Sequence, residues 1–250
     1  MDRHAPAEFR RRAFFGLAGA GALTAILPLS AWAQTPVASL KIGFIGAGRE
    51  GGALGTLFAK AGHPVMFSSR HPETLTDLVN SAGPNAKAGT VDDAVAFGDV
   101  IFLVVPYTAV EEIAKTNGAA IAKKQLLVDV SNPIPRRDGE DFVKQINESG
   151  GAGLATAKYF PGAKIVRAFN AIGYGRLENA SAKSDGKVGV PIAGDDKGAI
   201  ELASALITEI GFVPVLVGGL PMGKYLVPGT PLAGEHSPDE IKQIAATLKS

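Results

Sequence analysis

The chain has 250 residues, 46 % of them hydrophobic and 20 % charged, which suits a protein with a substantial core and excludes a disordered one. Its formal net charge of +1 argues against capture of a phosphate backbone, and so against nucleic-acid binding. With no cysteine, disulfides, thiolate zinc sites, iron–sulfur clusters and cysteine nucleophiles are excluded together, and the four histidines are not spaced as a metal pair. What stands out is 31 glycines, above the usual share of about 7 % and without a triplet period. They must serve turns, targeting or close approach of the backbone to a ligand.

Residues 1–33 read as an export signal. Arg10, Arg11 and Arg12 precede a Gly/Ala/Leu-rich run, and Ala31-Trp32-Ala33 gives the small-x-small pattern of a signal peptidase site, with Gln34 as the expected mature N-terminus. Arg11-Arg12-Ala13-Phe14-Phe15 resembles the twin-arginine export motif. The expected partner is therefore the twin-arginine export machinery, and the expected location periplasmic or otherwise exported. Gly16, Gly19, Gly21 and Pro28 weaken the run as an uncleaved anchor, so no stable membrane span is expected after cleavage. Cleavage would remove four arginines and two acids and take the net charge to −1.

After a linker over 34–39, strands and helices alternate. Residues 40–45 are an apolar run ending in glycine, as in a buried parallel strand. A helix follows over 51–61, with Leu54, Leu57, Phe58 and Ala61 at helical spacing and Gly62 as its stop. The pattern continues with a strand over 64–69, a helix over 72–81, a short strand near 87–90 and a helix over 92–97. Next come the most hydrophobic strand (100–105), a helix over 108–122 and a strand over 126–130. Residues 131–159 read as looser, and 164–168 as a further strand. The stretch 173–187 is turn-rich, before a strand over 188–193, a helix over 197–210 and a strand over 212–217. This order predicts an α/β fold: a doubly wound, mostly parallel Rossmann-type sheet with helices on both faces, spanning 40–220. Residues 221–250 are expected to be an irregular segment followed by a helix over 238–248.

Gly46-Ala47-Gly48-Arg49-Glu50-Gly51 fits G-x-G-x-x-G directly after the first strand and at the start of a helix. In that context Gly46 allows the tight turn, Gly48 lets the backbone approach a pyrophosphate, and Gly51 lets helix and strand pack closely. The helix N-terminus offers free N–H groups to the anion. The second strand ends Ser68-Ser69-Arg70, where NAD binders place an acid. Ser69 and Arg70 can instead hold a 2′-phosphate, which predicts NADP(H). Val105-Pro106-Tyr107 and Ser131-Asn132-Pro133 end the fourth and fifth strands at the carboxyl edge, with backbone at Val105 and Pro106 expected beside the ribose and nicotinamide. Asp92-Asp93 and Asp195-Asp196 read as helix-start acids, and His63 and His71 as turn residues. No residue is assigned a catalytic role, and no metal is expected.

The stretch KIGFIGAGREGGALGTLFAKAGHPVMFSSR resembles the NADP-binding half of the coenzyme F-420-dependent NADP oxidoreductase family, which also covers the reductase domain of STEAP-type metalloreductases. The likeness continues through VIFLVVPY, LVDVSNP, KIVRAFNAIG and VGVPIAGDDKGAIELASALITEIGFVPVLVGGL. It implies hydride transfer between NADP(H) and a flavin or deazaflavin acceptor. By position, Ala47, Gly48, Arg49 and Glu50 would surround the pyrophosphate and Ser69 and Arg70 would hold the 2′-phosphate. Val105 and Pro106 would line the nicotinamide side, with Ala168, Phe169 and Asn170 across the pocket. Two departures stand out: Tyr107 replaces the family's frequent Trp, and the chain beyond Leu220 is rich in Pro and Gly where the family has an apolar helix. A homodimer is one assembly compatible with the resemblance. Two other functions fit the same opening fold: NADPH-dependent reduction of a small imine or keto acid, and an exported NADP(H)-binding sensor without turnover.

Overall fold

In the computed structural model, which describes residues 40–177 and 188–249, the apolar runs are buried on both faces because successive strand side chains point to opposite sides. β1 (Ile42–Ile45) sends Ile42 and Phe44 into one core and Ile45 into the other. β4 (Val100–Leu103) divides likewise, with Val100 and Phe102 on the first face and Ile101 and Leu103 on the second. This explains why neither run alternates in polarity.

α1 (Arg49–Lys60) follows β1, and β2 (Val65–Ser68), α2 (Thr76–Ala82) and β3 (Ala86–Gly89) complete the first unit. α3 (Val91–Phe97) leads to β4, and α4 (Val110–Ile121) to β5 (Leu126–Asp129). The sheet has the order β3-β2-β1-β4-β5, all parallel, so the chain reverses direction across the sheet between β1 and β4. Leu54 and Phe58 of α1 pack with Phe44, Phe67 and Phe102, and the Phe44 and Phe102 rings stack at 4.8 Å. On the opposite face, Val95, Val110 and Ile121 cover Ile45, Ile101 and Leu103. The doubly wound expectation holds.

Residues 131–159, expected to be loose, form three short helices: α5 (Pro135–Asp138), α6 (Glu140–Glu148) and α7 (Ala152–Tyr159). Gly139, Gly150 and Gly151 separate them at positive φ, and such short segments hold too few turns for a clear period. β6 (Ile165–Arg167) then pairs parallel to β5. β7 (Gly189–Gly194) runs antiparallel to β6, while α8 (Lys197–Glu209) returns the chain so that β8 (Val213–Gly218) lies parallel to β7.

The Pro/Gly-rich tail is ordered by its contacts. A 3-10 helix at Leu220–Tyr225 and α9 (Pro238–Thr247) bury Met222, Leu226, Leu232 and Ile241 against Ala193 and Val215. The tail therefore packs on the body it follows. The helix-start acids behave as expected: Asp93 completes a capping box with Thr90, and Asp196 caps α8. His63 does not lie in an exposed turn. It is wholly buried, joining the Leu40 carbonyl (3.0 Å) to Glu209 at the end of α8 (3.0 Å). No helix among the described residues is long and apolar enough to cross a membrane. The export signal falls outside the described residues.

Candidate active site

The three glycines of the first turn play different parts. Gly46 has φ +102, and a Cβ there would lie 2.2 Å from the Val104 carbonyl oxygen. A Cβ on Gly51 would lie 2.1 Å from the Gly46 carbonyl oxygen, so the first turn of α1 can sit on the loop only without one. Gly48 is the opposite: its φ is −71, and an added Cβ would meet nothing within 4 Å. The protein's own packing makes no demand for glycine there. The open space lies at the helix N-terminus, where Gly48 caps α1 without any side-chain hydrogen bond. First-turn N–H groups are left for an anion.

Beside this loop opens a cleft of ≈ 660 Å³ at the carboxyl edge of β1, β4 and β5. One wall is Glu50, Gly51, Val105 and Pro106. The floor is Ser131 and Asn132, and the far wall Phe169 and Asn170. Pro228, Gly229, Ala233 and Gly234 of the tail close the remaining side, tied down by the Gly234 N–H donating to the Ala171 carbonyl (2.8 Å). The tail thus supplies part of the pocket, a role no short-range pattern in it signals.

The far wall stands on buried charge. Asp129 at the end of β5 pairs with Arg167 on β6, both fully buried. Asp129 also accepts from Thr156 (2.7 Å) and the Ser131 N–H (2.9 Å), and Arg167 donates to the Ser131 carbonyl (3.1 Å). Each charge is met by several partners, which such burial requires. Gly153 and Gly223 flank the Arg167 stem; a Cβ at Gly223 would fall 2.6 Å from it. Tyr107 belongs to the same network, its hydroxyl lying 2.8 Å from both Thr156 Oγ1 and the Ala152 carbonyl. Burial, then the Asp129 charge, pushes its phenol upward, so it stays neutral. The departure at Tyr107 is therefore a packed, hydrogen-bonded residue rather than a cleft residue.

Above this pair the backbone is strained. Phe169 is the non-glycine residue with positive φ among those described, at +63. The turn lets Asn170 donate to the carbonyls of Asp129 (3.0 Å) and Ser131 (3.4 Å), while the Asn170 carbonyl accepts from Asn132 (2.8 Å). The Ser131 hydroxyl donates to the Leu103 carbonyl (3.1 Å) and accepts from the Val105 N–H (3.3 Å), fixing the near wall to the floor.

Among the described residues three buried side-chain atoms lack a hydrogen-bond partner: Glu50 Oε1, Arg167 Nε and Asn170 Oδ1. Glu50 and Asn170 both line the cleft, from opposite walls. Burial pushes the Glu50 carboxyl up to about 7, against the lowering effect of the Tyr174 backbone N–H. Arg49, its neighbour, is turned to Tyr174, donating to the hydroxyl (3.1 Å) and lying over the ring.

Gly48 and Arg49 line both this cleft and, with Ala47, a second groove of ≈ 670 Å³ on the outer side of α1, beside Leu78 and Tyr174. Ser69 and Arg70 follow β2. Ser69 accepts from the His71 N–H (3.0 Å), and Arg70 is exposed with no side-chain hydrogen bond or ion pair among the described residues. Ala168 is fully buried in the core beneath α1, with Leu54, Phe58 and Phe169, and is not among the residues lining the cleft. Asp129, Arg167 and Thr156 were missed by the sequence reading. The signal was there: a lone acid and a lone arginine interrupt two neighbouring apolar strands.

Residues 41–133 match the family model described as NADP oxidoreductase, coenzyme F420-dependent. A hypothetical protein from Sinorhizobium meliloti is 30 % identical over 78 % of this chain and 93 % of its own, with a TM-score of 0.66. A structure from Arthrobacter sp. FB24, described as an F420-dependent NADP-reductase, is 20 % identical over 74 % of this chain and 87 % of its own (TM-score 0.64), a likeness of fold. The 2-hydroxy-3-oxopropionate reductase of Escherichia coli K12 is 34 % identical over 45 % of this chain and 38 % of its own. The chain spans about a third of the length of such curated relatives.

Proposed function

Since the chain belongs to one family with the Sinorhizobium protein and carries the nucleotide-binding module of NAD(P)-dependent oxidoreductases, we propose that it is an NADPH-dependent oxidoreductase passing a hydride between NADP(H) and a flavin or deazaflavin ring. The observation that carries this is the open space at Gly48, on a loop whose other glycines are fixed by backbone contacts, at the mouth of a cleft of ≈ 660 Å³.

The residues fit a dinucleotide. First-turn N–H groups of α1 would take the pyrophosphate, and Arg70, with Ser69 beside it, a 2′-phosphate. Bound NADPH supplies the hydride. The chain's part is to orient and to exclude water. Val105 and Pro106 offer one flat side, held by Ser131, and Asn170 lines the other. Phe169 and Val130 keep the space between apolar. Transfer in such a site depends on proximity and orientation.

The test follows nicotinamide absorbance with FMN, FAD and a deazaflavin as acceptors. Oxidation with one ring acceptor is expected; tight NADP(H) binding without turnover would favour a sensor, and turnover only with small imines or keto acids would favour that reduction. Arg70→Glu should lower the preference for NADP over NAD at least tenfold, about 1.4 kcal/mol, in Kd. An unchanged preference would remove the NADP assignment. We also propose twin-arginine export, resting on residues 1–33 alone: replacing Arg11 and Arg12 by lysine should stop secretion.

A further inference from the structure

Glu50 is an acidic side chain at the edge of the glycine loop. It lies in the first turn of α1, one residue before Gly51 and beside the open space at Gly48. Its Oε1 is buried without a partner, and it walls the cleft. The other charged side chains lining that cleft are Arg49 and Arg137, and neither reaches it. Arg49 is held by Tyr174, while Arg137 donates to the Asn132 carbonyl (2.5 Å) and pairs with Asp138 (2.8 Å). From the Tyr174 side comes only a backbone N–H. The buried charges of Asp129 and Arg167 are taken up by each other, by Thr156 and by Ser131.

An unpaired carboxylate here would face the phosphates of any dinucleotide bound at the loop, two like charges in a partly dry site. A carboxylic acid would instead turn its O–H toward them as a donor. We propose that Glu50 binds the dinucleotide in its protonated form, donating a hydrogen bond to the phosphate–ribose segment, so that binding takes up a proton. The inference rests on the dinucleotide reading of the loop. The free carboxyl, already raised to about 7 by burial, is placed to respond within the neutral range.

The sign follows from linkage. A group that protonates on binding makes affinity fall as pH rises above its value in the free protein, tenfold per unit, until its value in the complex is passed. The test is calorimetric titration of the whole protein with NADP at pH 8 in two buffers of different ionisation enthalpy, repeated with Glu50→Gln. The 2′-phosphate titrates equally in both and cancels in the comparison. Native protein should take up close to one proton more than Glu50→Gln, and its Kd should rise roughly tenfold from pH 7.5 to 8.5 while that of the variant stays flat. The native pH dependence stands without the variant, should Glu50→Gln fold poorly. Equal proton numbers, or a flat native Kd, would overturn the assignment with dinucleotide binding intact. Absence of NADP binding to the native protein would overturn the dinucleotide reading itself, and this inference with it.

Discussion

The two walls of the cleft are built on different physical grounds. The near wall turns on one short loop, Gly46 to Gly51, set against the end of β4, in which Gly46 and Gly51 are required because the Val104 and Gly46 carbonyls stand where a side chain would begin. The far wall, from β5, β6 and the tail, is assembled over long sequence distances, through a buried Asp129–Arg167 pair, a left-handed Phe169 and a loop held from Gly234. The first wall depends on the absence of side chains, the second on the mutual neutralisation of two charged ones. A ligand-binding edge can thus be rigid for opposite reasons at its two ends.

The contrast can be broken from the far side first. Arg167→Leu leaves Asp129 buried and uncompensated and should cost about 3–5 kcal/mol, read as a lower urea midpoint. Adding Asp129→Leu should recover part of that loss, since a buried pair is costly to halve but replaceable by apolar groups. No recovery would mean that Thr156 and Ser131 need the charge for reasons other than neutralisation. On the near side, Gly46→Ala combines a left-handed φ with a backbone clash and should cost about 2–3 kcal/mol. The smallest effect also falls on the near wall. The folded Glu50 carboxyl titrates above its unfolded value of 4.5, so the native state binds the extra proton and loses stability as pH rises toward and through 7. Glu50→Gln should therefore be about 1 kcal/mol more stable at pH 8, with no such gain at pH 4, allowing for partial solvent access.

The two walls also differ in how far the sequence betrays them. Strand and helix positions from 40 to 130 are legible because buried parallel strands are continuous apolar runs and the glycine loop is a contiguous signal. Helix α1 begins two residues earlier than its apolar spacing suggests, at Arg49, because the first turn packs through glycine rather than through apolar side chains. Beyond 130 the signals weaken. α5, α6 and α7 are too short to show a period, and His63 looks like a turn residue until α8 brings Glu209 to it from 146 positions away. Arg167 and Asp129 are each visible as lone charges in apolar strands, but their pairing depends on the register of β5 with β6, where Asp129 faces Arg167. Ala168 stands apart from its neighbours: Phe169 and Asn170 line the cleft, while Ala168, just past the end of β6, is buried in the core beneath α1.

Gly48 separates fold from ligand more cleanly than any other position. Because an added Cβ meets nothing of the protein, Gly48→Ala should melt close to the native temperature, with at most the small loss expected of a changed helix cap. Titrating both proteins with NADPH, followed by nicotinamide fluorescence, tests whether the open space belongs to the dinucleotide. The expected result is a loss of at least tenfold in affinity with the fold unchanged. Equal affinity of native and variant protein would contradict the placement of the pyrophosphate at this loop.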